Sequence, residues 1–524
     1  MRGIVDPKLK LQDPYREDMR NSTCEKESHI AAKQIFALTK YPGWTTPTVK
    51  HHCPRTVMAS SLRAISNRVT YDPKVFERFK IWFRMIYIPE FLKMLSKQMH
   101  KVDVHEWLKT TDYTKPQQAK LLESLKEPNF VEYDTYSGFT KVEMQFTTVP
   151  HEMKNDPLND VKERQICGPN DLKKCLANPF IKILEDVAHK HNAHYCGKKN
   201  WIEICETIEK ARDELPTLIF GAADGSGFDM TQLRVFNELM NELILAAARH
   251  PNIEWVEPLS VEGLMRALKN SLVLNVSMDS GRLKYTAEGR ASGDGWTTFG
   301  NTMLMISYWR FTMYEASIDK FFLLVKGDDV LLGIEPEQMS KFNEARARIF
   351  TTDKSPKTHG LAQICKKIDF GDITDLDFLS NHFFYNNRGR LRMTRIPPRV
   401  IQTISWSTKV PPLMGEKYND ARRSLCYSKG LSLLAWGEGL CIWEKLARKM
   451  LQLGVQGRYK DHNVYSDQGR TWHSVDDRDA YAHYLHQRYN LSLKDIYSIE
   501  LKIDRIQSIN EVVEISELQN FFQI

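Results

Sequence analysis

No stretch of this 524-residue chain approaches the ~20 consecutive apolar residues that a membrane-spanning helix needs. The greasiest helical stretch, 431–443, is interrupted by Gly437, Glu438 and Gly439. An apolar leader is missing too: Met1 is followed by Arg2, Asp6 and Lys8, so no signal peptide is expected. Cysteine is scarce, odd in number and scattered; the nine thiols fit a reduced intracellular protein rather than a disulfide framework. Paired C-x2-C spacing is absent. A zinc site at His191, His194 and Cys196, with Cys175 and Cys205 nearby, is therefore weighed against surface histidines and a buried thiol, and the second reading is preferred. His51, His52 and Cys53 are read the same way. There is no repeat period and no low-complexity tract. Charge is nearly balanced, at +7 with a pI of about 8.7, which fits a polyanionic partner without requiring one.

What is present is enough apolar sequence, 42% of residues, to bury several cores in a soluble globular chain. The first ~70 residues are polar and Pro-punctuated, more a strap than a core. Val75, Phe76, Phe79, Trp82, Phe83 and Ile86 fall at helical spacing after Pro73, predicting an amphipathic helix over 75–87. A second helix is expected over 115–125, and strands near 131–146 and at 217–222. A long helix is expected over 230–250, and another over 299–314. Two apolar runs, 321–325 and 330–334, flank a tight Gly-containing corner and read as a buried hairpin. Strand, helix, helix and hairpin in that order describe a small antiparallel sheet backed by two helices, an α+β unit. Composition changes after Tyr385, and mostly helical patterns follow, with the main helical element expected over 427–451.

The hairpin tip carries Asp328 and Asp329. Adjacent carboxylates at the end of two apolar strands are costly unless a cation compensates them, and a divalent ion is the natural one. Upstream, the strand at 217–222 leads into Asp224-Gly-Ser-Gly-Phe-Asp229. If the two strands are neighbours, Asp224 lies beside Asp328, and together they suit two Mg²⁺ ions ~3.5–4 Å apart, as in-line phosphoryl transfer uses. Alone, D-x4-D means little, since such a pair arises by chance about once in a chain of this length. A third run, 292–301, pairs a flexible Gly293 and Gly295 loop with a helix that presents Thr297 and Asn301 along one face. S-G-x3-T-x3-N is far more specific, with on the order of one chance occurrence per hundred such chains.

D-x4-D, S-G-x3-T-x3-N and G-D-D, in this order, resemble motifs A, B and C of viral RNA-dependent RNA polymerases. Lys162-Glu163-Arg164-Gln165-Ile166 resembles the basic motif F, with Lys141-Val142-Glu143 similar to its upstream arm. The segment 360–367 resembles motif D, and Asp377-Phe378-Leu379-Ser380 the turn of motif E. The ladder covers about residues 141–385. Its details are similar to tombusvirus- and nodavirus-like enzymes, with the alphavirus-like group second. Gly227 and Lys326 depart from the usual residues but leave the carboxylates intact.

The resemblance implies a right-hand fold of fingers, palm and thumb. Fingers would occupy 1–213, with an insertion at 246–284; palm would occupy 214–245 and 285–385; thumb would occupy 386–524. It implies that Asp224 and Asp328 ligate both Mg²⁺ ions, with Mn²⁺ able to substitute, and that Asp329 is a weaker ligand. Asp229 and Asn301 would read the ribose 2′-OH, while Ser292, Gly293 and Thr297 help place nucleotide and template. Lys141, Lys162 and Arg164 would neutralise the triphosphate. Lys366 or Lys367 would protonate the departing pyrophosphate, and the choice stays open. Arg388, Arg390, Arg392, Arg395 and Arg399 suit a phosphate backbone or a charged surface loop about equally. Expected partners are RNA template, nascent RNA, NTPs and other viral replicase proteins. The expected location is the host cytoplasm, in a membrane-associated replication complex reached through other segments or partners. A reverse transcriptase and an inactive RNA-binding scaffold are the alternatives. The first is disfavoured by an acceptor at Asp229, the second by a complete carboxylate set.

Overall fold

The computed structural model describes residues 70–126, 134–141, 164–269, 271–278, 282–352, 358–365, 368–411, 414–459, 477–511 and 513–522, with short pieces at 8–11, 29–31, 33–36, 48–50, 57, 60–61, 128 and 144–145. The architecture is α+β, helices packed around small sheets of two to five strands. The sheet that matters most is four-stranded and antiparallel, in the order Phe322–Lys326, Asp329–Ile334, Ile219–Asp224, Asp369–Gly371. Its central residues are buried on both faces, which is why the hairpin reads as unbroken apolar runs rather than an alternating pattern. Leu323, Val325, Val330, Leu332 and Ile334 point into one core, while Phe322, Leu324, Leu331 and Phe220 point into the other. The sheet is thus a wall between two hydrophobic cores.

The first core is closed by the helices Arg234–Ala248 and Thr297–Glu315. Thr297–Glu315 is buried nearly all round, as a helix threaded through a core must be. The expected helix over 230–250 is instead broken. A single turn, Phe228–Thr231, ends at Gln232, and Arg234–Ala248 starts afresh after Leu233, whose ψ of 161° is extended. Buried polar bonds hold the break: Gln232 Nε2 donates to Phe228 O (3.0 Å) and Gln363 Oε1 (3.1 Å), while Tyr308 Oη donates to Gln232 Oε1 (3.0 Å). No hydrophobic period reports a side-chain amide that prefers distant partners to its own helix.

The helix expected after Pro73 forms as Pro73–Trp82, capped by Asp72, whose carboxylate accepts from the Lys74 and Val75 amides. It continues through one π turn, Phe83–Tyr87, into Ile88–Leu95. Pro89, which has no N–H to give, stands just past that turn. Lys115–Lys126 and the strand Thr135–Thr140 form where periodicity places them. Thr135–Thr140 belongs to a five-stranded sheet, where it pairs with Gln165–Gly168.

The second core is built mainly from the C-terminal helices. The expected element over 427–451 is a helical hairpin, Gly415–Gly437 against Trp443–Leu453, because the Gly437-Glu438-Gly439 run ends the first helix. A Cβ on Gly437 would sit 2.8 Å from Trp443 Cβ, so the two helices touch where only glycine fits. At the His191, His194 and Cys196 cluster, His194 Nδ1 lies 3.1 Å from Leu323 O and the ring stacks on Phe321. Among the described residues no three His, Cys, Asp or Glu side chains form a metal cage. His194 is also partly buried rather than at the surface, while Cys196 is the expected buried thiol. The seven described cysteines are all buried and unbridged.

Phe79 joins the N-terminal helix to the helices behind the sheet. Fully buried, its ring lies 5.4 Å from those of Tyr308 and Phe311. Phe79→Ala should lower the unfolding free energy by about 3–5 kcal/mol in urea titration; a loss below 1 kcal/mol would remove the joint.

Candidate active site

The corner between the two apolar strands is a two-residue loop, Gly327-Asp328, closing the Lys326↔Asp329 pair. Gly327 has φ +64°, the left-handed conformation such loops require and glycine supplies at least cost. Its N–H donates to Thr302 Oγ1 (2.9 Å), which pins the loop to the Thr297–Glu315 helix. On the other side, register places Asp329 opposite Asp224 and Val330 opposite Ala223. The Gly225 N–H donates to Asp328 O (3.3 Å), and a Cβ on Gly225 would stand 3.1 Å from Asp328 Cβ. Asp224, Asp328 and Asp329 therefore meet at one rim of the sheet, with Asp224 exposed and the other two half-buried.

Burial pushes the Asp328 carboxyl up to about 6, and the neighbouring charges of Asp329, Asp224 and Asp229 add to it. Asp329 is likewise pushed up to about 6 by burial and Asp224, against the opposing pull of Arg399 and Lys326. Among the described residues these carboxylates form no closed cage. Their chemistry nonetheless suits a hard divalent cation: oxygen donors only, brought together at one rim, with Asp328 and Asp329 half-buried where an unpaired carboxylate charge is costly.

Asp229 stands on the Phe228–Thr231 turn, preceded by Gly227 in a left-handed conformation (φ 64°, ψ 34°) that a basic side chain would adopt only under strain. Asn301 Nδ2 donates to Asp229 Oδ1 (2.6 Å), so the expected polar pair is formed across two elements 72 residues apart. Burial raises the Asp229 pKa, opposed first by the Asn301 bond and then by Arg290 and Arg164. Asn301 Oδ1 is buried without a hydrogen-bond partner among the described residues. An acceptor is left waiting there.

The loop ahead of the helix is tied to the Gln165–Gly168 strand. Ser292 Oγ donates to Gln165 O (2.9 Å), and Gly293 N to Cys167 O (3.0 Å). A Cβ on Gly293 would meet that Cys167 oxygen at 2.7 Å, so only glycine permits the approach. Thr297 Oγ1 donates to Ala291 O and closes the loop on itself. Beneath it lies a buried chain that composition did not reveal: Lys173 Nζ donates to Tyr136 Oη (2.5 Å), and Tyr136 Oη to Asp294 Oδ2 (2.8 Å). Burial pushes Lys173 down to about 8 and Asp294 up to about 6.

Lys141 and Arg164 are joined by their backbones, Lys141 N donating to Arg164 O (2.7 Å). Arg164, Asp229, Thr297, Asn301, Asp328 and Asp329 all line one cavity of about 470 Å³. Asp224 lies at its edge, lining a smaller adjoining pocket with Asp328. Lys162 and Lys366, with Lys367, lie outside the described residues. Leu379, from the expected turn, also lines the cavity, as does Ser60, which sequence reasoning missed together with the buried Arg290. Neither Ser60 nor Arg290 carries a spacing signal; each is identified only by where the chain folds.

The arginine run does not act as one patch. Arg390 pairs with Glu209 (2.7 Å) and Arg392 with Asp477 (3.6 Å), Arg395 lies over Trp201, and Arg399 bonds Ser380 Oγ. Of the five, only Arg399 acts on the Asp329 carboxylate. Leu379 and Ser380 both have positive φ, so the expected turn after Phe378 is real and brings Leu379 to the cavity.

A carboxyl whose pKa is higher folded than unfolded retains its proton on folding, so it weakens the native state as pH rises from the ordinary carboxylate range through about 6. In metal-free protein, Asp328→Asn should match wild type in urea unfolding near about pH 4 and exceed it by about 1–3 kcal/mol near about pH 7.5. Equal differences at both pH values would show that the Asp328 pKa is not raised by folding.

Residues 259–356 match the family model of viral RNA-dependent RNA polymerases, a span that includes the Ser292–Asn301 run and the Asp328-Asp329 corner but not Asp224 or Asp229. Comparison with curated proteins gave no match. With the carboxylate rim and the polar pair meeting at one cavity, that match supports a viral RNA-dependent RNA polymerase, an RNA-directed nucleotidyltransferase whose substrates are RNA and NTPs.

Proposed function

We propose that this polymerase copies a viral RNA genome by two-metal nucleotidyl transfer, with initiation de novo. The observation that carries the reading is one cavity lined by Asp328, Asp329, Asp229, Asn301, Thr297 and Arg164, with Asp224 in register beside it. Asp224 and Asp328 hold the ions and Asp329 assists. When bound, two Mg²⁺ ions, replaceable by Mn²⁺, lower the pKa of the attacking 3′-OH and neutralise charge on the leaving pyrophosphate. The 3′-oxygen forms its bond to the α-phosphorus as the bond from that phosphorus to the pyrophosphate oxygen breaks.

The chain's other residues bind and orient. Arg164, with Lys141 and Lys162, receives the triphosphate, where a guanidinium fork matches phosphate oxygens. Asp229 accepts a hydrogen bond from the ribose 2′-OH while Asn301 holds it in place, and the unpartnered Asn301 Oδ1 offers a second acceptor. Ser292, Gly293 and Thr297 fix the loop that places nucleotide and template. Lys366 or Lys367 returns a proton to pyrophosphate. Arg399 is the member of the arginine run best placed to meet a phosphate at this site, since Asp329 feels its charge.

In this reading the four-stranded sheet and its two helices are the palm of a right hand, 214–245 and 285–385. Segments 1–213 and 246–284 are fingers, and 386–524 is the thumb. The K-x-R-x-I and Phe-Leu-Ser runs support a tombusvirus- or nodavirus-like grouping. No helix among the described residues is long and apolar enough to cross a membrane. Other replicase proteins or segments would bring the enzyme to a membrane-associated complex in the host cytoplasm.

Asp328→Asn should lower RNA synthesis on a primer-free short template at least ~10³-fold while RNA affinity stays within about twofold, because phosphate contacts come from basic residues elsewhere. Wild-type turnover by that variant would contradict the metal assignment. Asp229→Ala should cut the NTP-over-dNTP preference about tenfold or more, the size of one lost charge-assisted hydrogen bond. An unchanged ratio would remove the 2′-OH role, and a wild-type enzyme preferring dNTPs would make it a reverse transcriptase.

A further inference from the structure

We infer that Arg290 is a positioning residue for ribose selection: its sealed guanidinium braces Asp229 against Asn301 from the side that substrate never reaches. The inference rests on the 2′-OH reading of Asp229 given above. Arg290 is 3% exposed, whereas Arg164, which also acts on Asp229, is exposed and lines the cavity. Asp229 thus feels one cation that lines the cavity and another that is sealed from solvent. The Arg290 backbone N–H donates to Asp229 O (2.8 Å), tying the loop before Ser292 directly to the Phe228–Thr231 turn.

The side chain is held as firmly as the backbone. Arg290 Nη2 donates to Asn237 Oδ1 (2.6 Å). Asn237 Nδ2 in turn donates to Gln232 O (3.0 Å) and Gly289 O (3.1 Å), so the guanidinium is anchored at the break between turn and helix. Nη1 lies so close to Gly300 that a Cβ there would stand 1.7 Å away. The planar group therefore lies against the helix one residue before Asn301. Nε and Nη1 have no hydrogen-bond partner among the described residues. A buried cation left with unused donors requires a nearby anion, and the strongest opposing charge acting on Arg290 is that of Asp229. Without it, burial would favour protonating Asp229, which would then present a hydroxyl donor where an acceptor is needed.

The test compares kcat/KM for an NTP with that for its dNTP in wild type, Arg290→Met, Arg290→Lys, Asp229→Ala and the Arg290→Met/Asp229→Ala double variant, with thermal melts for each. Arg290→Met should lower the NTP-over-dNTP ratio about tenfold, mainly through KM for the NTP, as expected for one lost charge-assisted contact. Arg290→Lys should recover most of the ratio. The double variant should match Asp229→Ala within about twofold, since both changes act through one carboxylate. If Asp229→Ala lowers the ratio while a folded Arg290→Met keeps it, the inference fails alone. A double variant falling well below Asp229→Ala also overturns it. If Asp229→Ala changes nothing, the ribose reading fails first. Should Arg290→Met not fold, Asn237→Ala, which releases Nη2, carries the test: a reduced ratio supports the inference and a wild-type ratio overturns it.

Discussion

Everything at this site depends on one register. Asp329 faces Asp224 because the hairpin strand Asp329–Ile334 pairs with Ile219–Asp224 residue by residue, and a slip of one position would turn each side chain to the opposite face. That slip is forbidden by burial. One set of side chains fills the core behind the sheet and the alternate set fills the core in front, so neither face has a solvent side to receive misplaced residues. Two hydrophobic cores therefore clamp three acids at one rim. Burial there, with neighbouring acids adding to it, raises the pKa of Asp328 and Asp329.

The polar machinery is assembled by the same logic of constraint from behind. Asp229 stands on a single turn set apart from the helix that follows, because Gln232, Tyr308 and Gln363 share a buried network at the break. From that turn its carboxylate meets Asn301. Arg290 and the Lys173–Tyr136–Asp294 chain lie under the loop between Ala291 and Thr297, so the groups lining the cavity stand on a second layer of charges sealed from water. Buried polar layers of this kind are costly unless fully paired, and here they join elements far apart in sequence. The loop is thereby bound to the Gln165–Gly168 strand, whose neighbour Arg164 reaches the same cavity.

Much of this was legible beforehand, and for identifiable reasons. Asp224, Asp229, Asn301, Asp328 and Asp329 could be named because each sits in a short motif whose spacing is fixed by a turn or by 3.6 residues per helical turn. The two apolar runs at 321–325 and 330–334 declared a doubly buried hairpin. The helix over 230–250 and the single element over 427–451 were misread because side-chain amides and a glycine contact, invisible to hydrophobic periodicity, decided where those helices end. The arginine run stayed open between two readings for a related reason. Density along the chain says nothing of partners, and Glu209 and Asp477 claim Arg390 and Arg392 from distant positions.

The covalent sequence carries the chemistry: which side chains are acids, which turn needs glycine and which runs must be buried. These follow from covalent structure and local periodicity, which any short window contains. Tertiary structure alone sets which acid faces which, that the buried Arg290 bonds Asp229 O through its backbone, and that His194 meets Leu323 and Phe321. Those outcomes depend on pairings across tens to hundreds of residues, where free energy is set by joint burial of both partners and no single segment records the result.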